Sequence, residues 1–252
     1  MKDGVDRDLY VKRFSIYRII EHWLVAVLFA ILVTTGLSQK FYESDLSQWF
    51  VISMGGIDVV RIVHRIAGAF FGCLLLQHII VASCGVILKK WQPSILISKK
   101  DFTDLIDNLK YYFGVTNAPA RCDRYDYKQK FEYWGIFAGG LIMIATGLTL
   151  WFPTSAARYL PGSVIPAAKA LHSNVAMMIF LITALWHVYN SIFSPDVFPI
   201  DTVMFTGKIS ADRMMREHPL EFERLYGCSL EDGELEAVKD KIREERRQET
   251  GG

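Results

Sequence analysis

Cysteine is scarce in this 252-residue chain, and what there is falls in no pattern. Cys73, Cys84, Cys122 and Cys228 form neither a C-x-x-C pair nor a C-x-x-C-H run. That excludes covalently attached c-type haem and removes the usual ligand sets for zinc or an iron–sulfur cluster, leaving free structural thiols as the expectation. No pterin, nucleotide or cluster motif is present, so primary substrate chemistry is not expected in this chain. An excess of one charge is also missing: 28 Lys and Arg face 27 Asp and Glu, a net charge of +1, and nothing suggests a nucleic-acid partner. Most telling, Asp, Glu, Lys and Arg are absent from the middle of four long apolar runs.

Those runs decide the class. They cover roughly Tyr17–Leu37, Val59–Leu88, Phe131–Phe152 and Ala168–Phe193, each long enough to cross a hydrocarbon core of roughly 30 Å as a helix. The first is too long for a cleavable signal peptide, and no small-residue cleavage site follows it. The expected fold is an all-α integral membrane protein, a bundle of four transmembrane helices. Basic residues set its orientation. Lys2, Arg7, Lys12, Arg13 and Arg18 precede span one, nine Lys and Arg lie between spans two and three, and nine more follow span four. The other two loops carry little beyond Lys40 and Arg158. The positive-inside rule puts both termini in the cytoplasm, with two short, turn-rich loops outside.

The expected organisation is a charged cytoplasmic N-terminal arm without apolar periodicity (1–16), a four-helix membrane domain (17–194) and a cytoplasmic C-terminal extension (195–252). Between spans two and three, Phe102, Leu105, Ile106, Leu109, Tyr112 and Phe113 recur at helical spacing, which predicts an interfacial amphipathic helix over Asp101–Phe113. Gly114 and Pro119 would end it. From Glu231 the tail becomes a mixed-charge stretch, solvated or disordered. No internal repeat is evident.

Five of the six histidines lie in or at the edges of the spans. His64 and His172 open spans two and four near the outer side; His78 and His187 lie near their inner ends, and His22 near the inner start of span one. Steps of 14 and 15 residues return a helix to nearly the same face, roughly 21–23 Å along its axis. A lone membrane histidine is commonly a hydrogen-bonding residue at a helix interface. Two outer and three inner imidazoles instead form the two layers that a pair of bis-histidine b-type haems would need, neutral imidazole being a strong axial ligand. Gly68, Gly72, Gly135, Gly139, Gly140 and Gly147 permit close helix approach, or room for a porphyrin. Arg18 and Arg65 would snorkel to headgroups, or neutralise propionates.

Around these residues a family pattern emerges. Arg18-Ile-Ile-Glu-His22-Trp23, Arg61-Ile-Val-His64-Arg-Ile-Ala-Gly68, Tyr125-Asp-Tyr-Lys-Gln129-Lys130 ahead of Trp134, Leu171-His172 and Trp186-His187 resemble the cytochrome b (gamma) subunit of formate dehydrogenase-N and its relatives in hydrogenases and thiosulfate reductases. The likeness spans roughly residues 13–225. It implies two b haems, with His64 and His172 holding the outer one and His22 and His187 the inner one. It further implies a menaquinone site at the cytoplasmic start of span three, on Asp126, Lys128 and Gln129. His78 departs from the family pattern and is an alternate inner ligand, since spans two and four alone could supply four imidazoles; the Glu-His-Trp context favours His22. The implied partners are an iron–sulfur subunit with a molybdenum- or tungsten-type catalytic subunit, or a multihaem cytochrome c, at a bacterial inner membrane. Electrons would pass from the outer partner to quinone, or the reverse, quinol oxidation feeding an external reductase. A haem-free anchor or proton-relay transporter is disfavoured by the lack of midplane carboxylates and of broken or repeated helices.

Overall fold

A computed structural model describes residues 9–195 and 197–227, with 238 and 240. Cys228 and nearly all of the mixed-charge stretch lie outside the described residues. In chain order the elements are a short strand β1 (Tyr10–Lys12), α1 (Ile16–Lys40), α2 (Asp45–Ser53), α3 (Ile57–Ile87), α4 (Lys99–Tyr112), α5 (Tyr127–Trp151), α6 (Pro153–Tyr159), α7 (Val164–Ile182), α8 (Val203–Thr206), strand β2 (Lys208–Ser210), α9 (Ala211–Glu217) and α10 (Pro219–Tyr226). Helix α7 continues through two π-helical turns, Thr183–His187 and Tyr189–Phe193. Among the described residues four helices are long and apolar enough to cross a membrane: Ile16–Lys40, Ile57–Ile87, Tyr127–Trp151 and Val164–Phe193. The chain is an all-α membrane bundle, as the apolar runs predict. Each helix extends several residues beyond its apolar run at one end or both, because the backbone goes on forming i→i−4 bonds after the side chains turn polar.

The chain folds as two units. Residues 17–91 and 134–201 form the first, which holds the five span histidines. Small residues set its helix contacts. A Cβ on Gly139 would lie 2.6 Å from Ile179 Cδ1, and one on Gly140 3.4 Å from Phe71, so α5 approaches both α7 and α3 closely through glycine. Trp91 folds back over the last turn of α3, where a Cβ on Gly85 would meet its ring at 2.1 Å. The outer loop between α1 and α3 departs from expectation. It contains α2, capped by Ser44 through the Ser47 amide, with Leu46, Trp49 and Ile52 exposed along one side. Gly55 and Gly56, at φ 92° and 110°, make the turn into α3 that a side chain would resist.

The second unit gathers three segments far apart in sequence, 1–16, 92–133 and 202–252. Each neighbouring pair of segments is separated by two membrane spans, so an even number of crossings brings all three to one side. The N-terminal arm is more ordered than its charge suggests: β1 pairs antiparallel with β2, Val11 opposite Ile209. Leu9 and Val11 enter a small core with Val203, Ile209, Ala211, Met214 and Phe222. A period-2 pattern this short is hidden among Asp, Arg and Lys neighbours.

Helix α4 also belongs to this unit and matches the predicted interfacial helix. Its first turn closes a capping box between Ser98 and Asp101. Its polar side is the buried one: Asp101 receives the Lys130 ammonium at 2.8 Å, Asp104 that of Lys100 at 2.5 Å, and Asn108 accepts the Ala120 amide at 2.8 Å. Phe102, Ile106, Tyr112 and Phe113 point out, 51–80% exposed. A helix that buries carboxylates and exposes phenylalanine is built for an apolar medium on its outer side.

Candidate functional site

Four of the five span histidines meet in two pairs. His64, in the second turn of α3, faces His172 of α7 with ring centres 6.3 Å apart and planes at 74°. His22, in the second turn of α1, faces His187 with ring centres 6.1 Å apart and planes at 38°. The 15-residue step from His172 to His187 overshoots four α-turns by about 60° at 100° per residue. The π-turn over Thr183–His187 takes up the surplus residue, returning His187 toward the face that carries His172.

The hydrogen bonds of the outer pair fix its chemistry. Thr35 Oγ1 donates its one proton to the Ile31 carbonyl at 2.6 Å and lies 2.8 Å from His64 Nδ1. With the hydroxyl proton used, the imidazole is the donor, so His64 carries its hydrogen on Nδ1 and keeps the lone pair on Nε2. Thr146 does the same for His172: its hydroxyl donates to Ile142 at 2.7 Å and accepts from Nδ1 at 2.8 Å. Both outer imidazoles therefore have a free ligand nitrogen. His22 differs, its buried Nδ1 having no partner among the described residues; the Thr183 hydroxyl is likewise buried and unsatisfied.

A metal-centred group fits this arrangement. Two metal–imidazole bonds of roughly 2 Å, with half a ring at each end, put ring centres roughly 6 Å apart, as both pairs stand. Imidazoles in direct stacking contact would sit closer. Among the described residues no three His, Cys, Asp or Glu side chains cluster as a metal site, so each pair offers two ligands and no more. A group bringing its own in-plane donors matches that supply, as haem does.

His78 takes another partner. Its Nδ1 lies 2.8 Å from Glu21 Oε1, and Arg18 reaches the other oxygen of the same carboxylate at 2.6 Å and His78 Nδ1 at 3.3 Å. The Arg18 guanidinium also lies over the Trp91 ring at 5.0 Å. Arg65 lies over the Trp151 ring at 5.9 Å. The predicted quinone residues fall in the other unit. Asp126 and Gln129 cap the start of α5 reciprocally: Asp126 Oδ1 accepts the Gln129 amide at 2.7 Å and Gln129 Oε1 the Asp126 amide at 3.2 Å. Lys128 touches the Tyr112 hydroxyl at 3.4 Å and lies over the Tyr112 and Tyr127 rings.

Of the sequence glycines, only Gly147 touches a histidine: a Cβ there would lie 3.3 Å from His172 Cε1. Gly36, which the sequence reading passed over, stands in the same relation to His64. Thr35, Thr146 and Glu21 were also missed. The available signal was a Thr-Gly-Leu tripeptide occurring at both 35–37 and 146–148.

Comparison with known proteins identifies relatives of the chain. A family model described as prokaryotic cytochrome b561 matches residues 13–200. The cytochrome b556(Fdn) subunit of the nitrate-inducible formate dehydrogenase of Escherichia coli K12 is 25% identical over 199 residues, covering 79% of this chain and 83% of the relative. The cytochrome b556(fdo) subunit of formate dehydrogenase from the same organism is 23% identical over 214 residues, 84% of this chain and 92% of the relative.

Proposed function

Because the chain belongs to the prokaryotic cytochrome b561 family, we propose that it is the dihaem membrane subunit of a formate dehydrogenase-like respiratory complex, linking an outer partner to the menaquinone pool. That it is a multi-pass membrane cytochrome b follows from the family and its four apolar helices; the family carries haem b. The observation supporting two haems is the pair of facing histidines in each layer, 6.3 and 6.1 Å between ring centres. His64 and His172 hold the outer group, His22 and His187 the inner one. Haem b in each position supplies a one-electron carrier.

His78 serves differently, as the partner of the Glu21 carboxylate, which Arg18 holds from its other side. Glu21 is only 8% exposed, and a buried carboxylate needs such donors. Quinone contact falls on the segment Tyr125–Lys130. Quinone reduction takes up two protons with its two electrons, and Asp126 and Lys128 in this segment, with Glu132 just after it, are titratable groups suited to deliver them. Asp126 and Gln129 hold the backbone turn at the start of α5, leaving Lys128 as the contact we assign. The expected partners are an iron–sulfur subunit with a molybdenum- or tungsten-type catalytic subunit, in a bacterial inner membrane. The relatives' place in formate dehydrogenases favours electron entry from that partner over quinol oxidation.

The test counts haem per purified chain by the reduced b-type α band. Wild type should hold two, His22→Ala should lose the inner haem, and His78→Ala should retain both. Loss of the inner haem in His78→Ala but not in His22→Ala would reverse the assignment, and a wild-type protein without an α band would end the cytochrome reading.

A further inference from the structure

Residues 34–38 and 145–149 read Thr-Thr-Gly-Leu-Ser and Ala-Thr-Gly-Leu-Thr. Both stretches lie in the helix that precedes an outer histidine, α1 before α3 and α5 before α7, and their contacts match atom for atom. The Thr35 hydroxyl binds the Ile31 carbonyl at 2.6 Å and lies 3.4 Å from that of Leu32. The Thr146 hydroxyl binds the Ile142 carbonyl at 2.7 Å and lies 3.3 Å from that of Met143. Each receives the Nδ1 hydrogen of its histidine at 2.8 Å. Each is followed by a glycine whose absent Cβ would sit 3.3 Å from Cε1 of the same ring.

Threonine commonly bonds its own i−4 carbonyl in apolar helices, and glycine commonly marks close helix contact. Those habits explain neither the second bond, to imidazole, nor its occurrence twice with one geometry. Among the described residues His22 has no such partner at Nδ1.

We propose that Thr35 and Thr146 are positioning residues of the outer haem, a matched pair of Thr-Gly cradles that hold its two imidazole ligands and lower the potential of its couple. The proposal rests on the assignment of the two histidine pairs as haem ligands. A hydroxyl already donating to a carbonyl is a stronger acceptor. Donation from Nδ1 makes Nε2 a more basic ligand, and more basic axial ligation favours ferric iron. The glycine lets the ring edge rest against the helix backbone, which prevents its rotation away from the threonine. Both outer ligands gain this donation, which lowers the potential of the outer couple.

The experiment is a redox titration of the α band in the purified full-length protein, with the outer couple identified as the one missing from His172→Ala. Thr35→Val and Thr146→Val keep side-chain volume and delete the hydroxyl; Thr→Ser at each site restores it. The double Val variant should shift the outer couple about tenfold toward ferrous, which is about 59 mV upward for one electron. Each single variant should move it part of the way, the inner couple should stay in place, and Ser should return the wild-type value. If the double Val variant loses the outer haem, restoration of that haem by Ser at both positions supports the role, and its absence even with Ser overturns it. Two haems with unmoved potentials, or both couples shifting alike, refute the threonine role alone. A wild-type protein without two b haems refutes the parent assignment and the proposal with it.

Discussion

Acid should loosen the unit built from the arm, the central connection and the tail while leaving the bundle in place, through His218. This imidazole is 2% exposed. Its Nδ1 donates to the Asp123 carbonyl at 2.8 Å, and its Nε2 accepts from Arg13 at 2.9 Å. Burial, first, and then the charges of Arg13, Arg213 and Arg124 push its pKa from 6.5 down to about 4, against a smaller upward pull from the Asp123 carbonyl. The folded unit thus binds the proton less readily than the unfolded chain, so stability is full above pH 6.5 and falls as the pH drops toward 4. With those two values the loss is about 2 kcal/mol at pH 5, roughly a 30-fold rise in the unfolded population, and about 3 kcal/mol at pH 4. Burial pulls the Asp123 carboxyl up, but the Arg224 guanidinium and the Arg124 backbone amide outweigh it and hold the group below its ordinary 3.8, so it contributes little between pH 7 and 5. Hydrogen exchange at the amides of Ile209, Met214 and Phe222, corrected for intrinsic rates, measures this unit separately from the spans. Wild type should lose protection about 20-fold from pH 7 to pH 5, and His218→Asn, starting less stable, should show no such slope. Equal slopes in the two proteins would refute the reasoning.

Three further outcomes follow from contacts described above or beside them. Glu221 is the shared anion of Arg13 at 2.8 Å and Arg124 at 2.5 Å; Glu221→Ala strands two guanidinium groups and should destabilise the unit by about 3–5 kcal/mol in the same exchange assay. A loss under 1 kcal/mol would contradict it. Gly85→Ala drives a methyl into the Trp91 ring and should cost about 1–3 kcal/mol, with a change in the Trp91 fluorescence component, isolated by subtracting a Trp91→Phe control; an unchanged spectrum counts against the contact. Burial, reinforced by the charges of Asp126 and Asp104, raises the Cys122 thiol to about 11. Maleimide should therefore modify Cys122 at pH 8 at least about a hundredfold more slowly in the native protein than after denaturation, and equal rates would show the thiol to be accessible.

The membrane helices and the histidine layers were legible because both rest on local regularities. An apolar run of twenty residues has one reading in water-free surroundings, and a 14- or 15-residue step has one meaning on a helix. His22 against His187 and His64 against His172 are the pairings implied by the family pattern. The threonines behind the outer pair were not legible in the same way. A mid-helix threonine is ordinary until the structure shows that its oxygen has a second customer. The unit holding His218 was hidden for a different reason: Arg13 and Glu221 are 208 residues apart, and no local periodicity reports a contact of that range. His218 was passed over because it lies outside the spans, and Leu9 and Val11 because two apolar residues among charges carry almost no pattern. In the outer loop, the apolar spacing of Leu46, Trp49 and Ile52 was present but masked by the glycines that follow.

The meeting of those three segments also imposes an order of events on biosynthesis. Arg13 emerges from the ribosome before the first span, Arg124 after two spans, and Glu221 after all four. Until the last of these is made, Arg13 and Arg124 have no shared anion and the strand over Tyr10–Lys12 has no mate at Lys208–Ser210. A chain that inserted one span too few would leave one of the three segments across the bilayer from the others, and the unit could not close. Its closure therefore registers that the three segments have reached the same side, and a chain that has not closed exposes an unpaired strand edge, unpaired guanidinium groups and a bare apolar core.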